Sequence, residues 1–244
     1  TTGLAIAGAT ESWGAGDDDV WVMRLDSTGK HLWSRSYGTP GDDEGRGIAQ
    51  TADGGLLITG FTDGAGASKD DGFALRLDKA GATKWITRLG GAGEERGYAA
   101  AVTVKGLYVA GRSDSFGSGD DAFLTRLDHN GGALWTRRMG GSKAREITAL
   151  MPLPDGSIAM SGYSNNPGQG AREATYARTA KNAELGCAGK MIPASQFAAK
   201  KITMTNKPFT PAVAEGIKSK AVSVTTSISA AIVAAVGCNP TSCP

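Results

Sequence analysis

The sequence predicts an all-β protein, a β-propeller built of four-stranded blades of about fifty residues. Three observations predict it. The tripeptides Arg24-Leu25-Asp26, Arg76-Leu77-Asp78 and Arg126-Leu127-Asp128 stand 52 and 50 residues apart, and Trp33, Trp85 and Trp135 keep the same two spacings. Gly8, Gly60, Gly111 and Gly162 follow at 52, 51 and 51. The 36 glycines against 9 prolines in 244 residues, with no collagen period, suit many tight turns between short strands. A unit of this length with several strands is one small sheet, which buries its faces only against neighbouring units.

Within one period four strands are expected. Strand A is RGIAQTA (46–52), B is GLLITGFT (55–62), C is GFALRLD (72–78) and D is TKWITRL (83–89). The A–B and C–D joints, DGG and DKAGA, are short hairpin turns rich in Gly and Asp. Strands B and C are apolar at nearly every position, as expected when both faces of a sheet are covered. The three tryptophans in strand D are read as packing between blades.

The residues at 41–45 with Ile48, Ala49, Asp53, Gly54, Gly60 and Thr62, and a second copy in GLYVAG (106–111), resemble the bacterial SBBP-type β-propeller repeats. The likeness covers residues 3–163. It implies exported scaffolds with no shared catalytic residues, and hence a secreted or cell-surface location. The domain division expected is 1–166 for the repeat blades and 167–244 for a divergent segment.

In that segment the register persists while the residues change. ATYARTA (174–180) is read as a degenerate strand C, with Arg178 in the repeating arginine position and Cys187 where the next tryptophan would fall. Residues 193–220 carry helical signals, Thr210 before Pro211 and Val213 four before Ile217, and predict a short helical insertion. Residues 222–236 alternate with a strand period, preferred over a competing helix seam through Ile217, Ala221, Val224 and Ile228. Because the chain begins at a strand B, the stretch 229–237 is expected to supply the missing strand A and close a ring of about four or five blades.

In a meandering blade the B–C and D–A loops share one end of the disc. The B–C loops are ESWGAGDDD (11–19), DGAGASKDDG (63–72) and DSFGSGDD (114–121), and the D–A loops are GTPGDDEG (38–45), GGAGEERG (90–97) and GGSKARE (140–146). Clustered carboxylates on glycine backbone suit a hard cation, so Asp18, Asp43, Asp70 and Asp120 are candidate Ca²⁺ ligands. The alternative is that each acid caps its own turn and pairs with Arg46, Arg96 or Arg145. Trp13 and Phe116, with Asp42 and Glu94, are the candidate contacts for a protein or carbohydrate partner.

Other functions find little support. Lys plus Arg is 26 against 24 Asp plus Glu, a balance without the field that attracts nucleic acid. His31 and His129 fall on C–D turns, away from the acidic loops. No nucleophile elbow, phosphate loop or zinc-protease motif occurs. The remaining enzymatic reading is cleavage of a polysaccharide by carboxylates of adjacent blades. No charge-free apolar run reaches the ~18–20 residues of a spanning helix. The start TTGLAIAG carries the expectation that a targeting peptide has been removed. Cys238 and Cys243, four residues between them, suit a small disulfide loop of an exported protein. A third reading makes the chain a subunit of a larger assembly docked through residues 167–244.

Overall fold

A computed structural model describes residues 3–64, 66–67, 69–116, 119–139, 145–165, 172–179, 190–191 and 198–208. The described residues form strands and turns, with no helix among them. The first sheet holds β1 (Leu4–Thr10), β2 (Asp19–Leu25) and β3 (His31–Gly38). The second holds β4 (Asp43–Gln50), β5 (Leu56–Thr62), β6 (Asp71–Leu77) and β7 (Thr83–Gly90). The third repeats the pattern with β8 (Glu95–Thr103), β9 (Gly106–Ser113), β10 (Asp121–Leu127) and β11 (Ala133–Met139). The fourth contains β12 (Arg145–Pro152), β13 (Ile158–Asn165) and β14 (Arg172–Arg178). Among these fourteen strands every neighbouring pair is antiparallel and consecutive in the chain.

Strands A to D of the sequence reading correspond to β4 to β7, and β14 is the degenerate strand C expected around Arg178. The first sheet begins at its second strand position, so β1 lies at an edge. Asp and Gly close the hairpins. Asp78 Oδ1 accepts the N–H groups of Ala80 and Ala82 at 2.8 and 2.9 Å, and Gly81 takes the left-handed φ of 81° that the turn needs. Asp26 and Asp128 make the same pair of bonds in their own turns.

Three more strands come from the divergent segment: β15 (Lys190–Met191), β16 (Ala198–Lys201) and β17 (Thr205–Pro208). They pair with β11, β7 and β3, so the chain runs back along the outer edges of the third, second and first sheets. This corrects the helical insertion expected over 193–220 wherever that stretch is described. The physical reason is that β7 and β3 each present an unpaired row of backbone N–H and C=O groups, and an extended segment satisfies it while a helix does not. Ile202, Thr203 and Thr205 also favour extended backbone. The helix signals at Thr210, Pro211, Val213 and Ile217 lie outside the described residues, as do the proposed closing strand at 229–237 and Cys187, Cys238 and Cys243.

Each sheet packs on the next through its own apolar cluster. Val20, Val22 and Tyr37 meet Leu56, Ile58 and Phe73 between the first and second sheets. Leu57, Ala74 and Leu89 meet Leu107, Val109 and Phe123 at the next junction, and Tyr108 and Leu124 meet Ile147, Ile158 and Met160 at the third. Full burial of such a side chain stabilises by roughly 1.5–3 kcal/mol, which makes these junctions the main source of stability. β5 and β6 are buried along their whole length because both their faces are covered. The repeating tryptophans lie at the same junctions. Trp33 donates its indole N–H to Lys79 O at 3.2 Å and Trp85 donates to His129 O at 3.0 Å, each reaching the C–D turn of the following sheet.

Candidate functional site: the acidic loop end

The first layer of this site is backbone. Where strand A enters each sheet, its leading N–H donates to the carbonyl of the residue before strand C of the preceding sheet. The bonds are Asp43 to Asp18 O at 2.7 Å, Glu95 to Asp70 O at 2.7 Å and Arg145 to Asp120 O at 2.8 Å. A second staple joins the D–A loop to the B–C loop. Asp42 N–H donates to Asp63 Oδ1 at 2.7 Å and Glu94 N–H to Asp114 Oδ1 at 2.6 Å, while the N–H groups of Asp63 and Asp114 return bonds of 3.0 Å to the carbonyls of Asp42 and Glu94. Asp18 N–H reaches Asp42 Oδ1 at 3.3 Å.

Beneath it lies a buried layer of acids. Asp43 is fully buried, and its Oδ2 accepts the Thr39 N–H at 2.6 Å and the Thr39 hydroxyl at 2.8 Å. Glu95 takes the same place at the next junction, accepting Gly91 N–H at 2.6 Å and the hydroxyls of Ser113 and Ser115. Asp19, Asp71 and Asp121 begin their strands C equally buried. Arg88 pairs with Asp71, and Arg138 Nε lies 2.7 Å from Asp121 Oδ2. Nearer the surface, Arg96 pairs with Asp70, and Arg112 bridges Asp120 at 3.0 Å and Glu94 at 3.3 Å.

Burial, ahead of every other cause, pushes the carboxyls of Asp19, Asp43, Asp71 and Glu95 above their ordinary values, and the neighbouring acid adds to it at Asp43 and Glu95. A folded-state pKa above the unfolded one means that the folded protein binds the proton more tightly. The stability so contributed is full below the ordinary value near 3.8 and is lost as pH rises through the raised values. Tm is therefore expected to decline as pH rises from the ordinary carboxylate range through the raised values of these four groups, and Asp43→Asn to flatten that decline by up to one proton's linkage. Melting curves across this range check it. Asp53 acts in the opposite sense, because the Thr51 hydroxyl and then Lys84 hold its carboxyl well below the usual range. Its contribution is present at neutral pH and disappears in acid.

The predicted residues are therefore brought together in pairs at successive junctions and do not converge on one centre. Among the described residues no three His, Cys, Asp or Glu side chains stand close enough to hold a metal ion. Of the four candidate ligands, Asp70 and Asp120 are held by guanidinium groups and Asp43 accepts the Thr39 N–H and hydroxyl. EDTA is expected to leave Tm unchanged relative to millimolar Ca²⁺, whereas a site at ~100 times its Kd would add about 2.7 kcal/mol. Of the two roles open to Phe116, partner contact or loop anchor, its burial accords with the anchor. It is 8% exposed and packs with Leu107, Val109 and Phe123, because burying a ring there is worth more than leaving it in water. Trp13 stays 51% exposed. His31 Nε2 lies 2.8 Å from Ser34 Oγ, within its own strand.

The residues that matter most for charge, Asp19, Asp71, Glu95, Arg88 and Arg112, were not singled out by sequence. The signal was present: each buried acid is the second of an adjacent acidic pair, one residue after Asp18, Asp70, Asp120, Asp42 or Glu94. Strand alternation turns one member of such a pair outward and the next inward.

The fold and its acidic end together define a repeat protein of stacked antiparallel sheets in which carboxylates recur in one structural role. No protein-family model matches the chain. The regulatory protein FlaEY of Caulobacter vibrioides is similar to it, 31% identical over an alignment of 128 residues, with 46% of this chain and 13% of that protein covered. The chain thus corresponds to a small part of that relative's length.

Proposed function

We propose that the chain forms a β-propeller of the SBBP type and serves as a noncatalytic binding scaffold exported to the bacterial cell surface. One observation carries the reading: the acidic loops repeat the same backbone staples from junction to junction, the pattern of a structural repeat and not of one carboxylate pair set apart as acid and base. A relative described as a regulatory protein accords with a role exercised through contacts. Trp13, flanked by exposed Glu11 and Asp17, is the contact we assign to a protein or carbohydrate partner.

The test is binding of fluorescently labelled protein to intact bacterial cells, run beside a turnover screen on polysaccharides. Trp13→Ala is expected to weaken binding by roughly tenfold or more without changing Tm, and no polysaccharide is expected to be cleaved. Turnover that disappeared in an Asp18→Ala, Asp70→Ala or Asp120→Ala variant would replace the scaffold with an enzyme.

A specific observation also favours the larger-assembly reading. Leu4 and Ile6 on the first sheet, and Met151 and Tyr176 on the fourth, are exposed on the faces turned away from the neighbouring sheet. Faces of this kind are what a further blade or a second subunit would cover. A closing strand at 229–237 would account for the inner edge of β1.

A further inference from the structure

In the second and third sheets the fourth strand supplies the cation for the buried aspartate of the same sheet. Arg88 donates to Gly66 O at 3.1 Å and pairs with Asp71. Arg138 donates to Phe116 O and pairs with Asp121. Gly66 and Phe116 stand five residues before their aspartates, and Gly14 stands five before Asp19. Arg88 is opposite Phe73 and Arg138 opposite Phe123, each two residues beyond the aspartate; the equivalent position, opposite Trp21, is Ser36. The first sheet therefore has the buried aspartate without the arginine. Asp19 is 1% exposed, and both its Oδ1 and the Ser36 hydroxyl are buried without a hydrogen-bond partner.

The cation arrives from elsewhere. β17 pairs with β3 so that Lys207 lies opposite Ser36, and its Nζ donates to Gly14 O, the counterpart of the Gly66 and Phe116 carbonyls. The Lys207 charge also acts on the Asp19 carboxylate. β16 and β15 place Lys200 opposite Arg88 and Lys190 opposite Arg138, positions where an arginine is already present. Of these three register positions, the one at β3 has no arginine opposite the lysine.

We propose that the outer edge of β3 is an acceptor site for a lysine-bearing strand, occupied by residues 205–208 of this chain, and that Ser36 sets its specificity by leaving open the place Arg88 and Arg138 hold in the neighbouring sheets. Sequence separation makes this a long-range closure. The first sheet is complete only when a segment more than 160 residues away along the chain is seated, and its departure leaves Asp19 buried with no cation. This goes beyond the scaffold reading and does not depend on it.

Hydrogen exchange and melting of the full chain test it. Lys207→Met is expected to speed exchange of the amides shared by β3 and β17 by about tenfold and to lower Tm by about 3 °C, with β5 and β6 unaffected. In a Ser36→Arg background the same substitution is expected to change neither, because the new arginine takes the Asp19 and Gly14 contacts itself. Should Ser36→Arg fold poorly, Asp19→Asn serves instead, since a neutral side chain no longer calls for the lysine charge. Exchange unaltered by Lys207→Met, or an equal loss in the wild-type and the Ser36→Arg or Asp19→Asn backgrounds, would overturn the proposal.

Discussion

Gly111→Ala is expected to lower Tm by about 10 °C, the equivalent of about 3 kcal/mol for a chain of this size. A Cβ at that position would stand 1.8 Å from Arg96 O, an atom of the β8 backbone that cannot swing away. The same approach recurs at Gly60 against Glu44 O, 1.7 Å, and at Gly162 against Glu146 O, 1.9 Å. All three glycines face the point where strand A bulges, between Gly45 and Gly47, Gly97 and Ala99, and Ile147 and Ala149. Gly8 is the fourth member of the series, and there a Cβ meets only the Trp21 ring at 3.7 Å. Gly8→Ala is thus a direct probe of the proposed ring closure. If residues 229–237 complete the first sheet as strand A, Gly8→Ala is expected to cost about as much as Gly111→Ala. A change within about 0.5 kcal/mol, the usual range for an uncrowded surface position, would show the edge of β1 to be open.

Arg88→Ala is expected to cost about 3–5 kcal/mol, as removing one partner of a buried ion pair does. Asp71 is nearly fully buried and has Glu95 as a second carboxylate neighbour, so without the guanidinium a negative charge is left among acids in a low-dielectric place. The loss is expected to be largest where the Asp71 carboxyl is ionised and to shrink as pH falls through its raised value, where it takes up a proton. Asp71→Asn added to Arg88→Ala is expected to recover a large part of it, and a double-mutant cycle by urea melts measures the coupling. The exposed Glu44–Arg46 pair offers the contrast, since disrupting it is expected to cost no more than about 1 kcal/mol. An Arg88→Ala variant as stable as wild type would mean that water or another cation reaches Asp71.

Much of this was legible in the chain. The spacing of Arg24, Arg76 and Arg126 marked the repeat, and these arginines bind the A–B turns: Arg24 donates to Gly54 O at 2.7 Å, and Arg126 to Lys105 O. Arg178, in register though its neighbours had diverged, binds Asp155 and Ser157 in the same way. Strand period, turn glycines and aspartates repeat because each is a local requirement of a hairpin. The acidic loops were visible as a feature and their work was not. Asp18 and Asp42 are named by the motif, yet their carbonyls and N–H groups staple the sheets, and no pattern of side chains announces a backbone bond between loops more than twenty residues apart.

The sequence by itself determined the all-β class, the four-stranded unit and the end of the sheets on which the acids gather, while strand A, read as 46–52, begins at Asp43. These follow from propensity, alternation and turn chemistry, all of which act over a few residues. The tertiary structure alone decided three things: which acid of each pair is buried, that Phe116 is an anchor while Trp13 is exposed, and that residues 198–208 are strands along the outer edges and not a helix. Each of these depends on what a distant part of the chain brings into contact. Burial of a carboxylate is tolerated where the fold brings it partners, an arginine from another strand at Asp71 and Asp121 and hydroxyl and N–H groups at Asp43 and Glu95, and a weakly helical segment becomes extended when an unpaired strand edge offers it a ladder of hydrogen bonds.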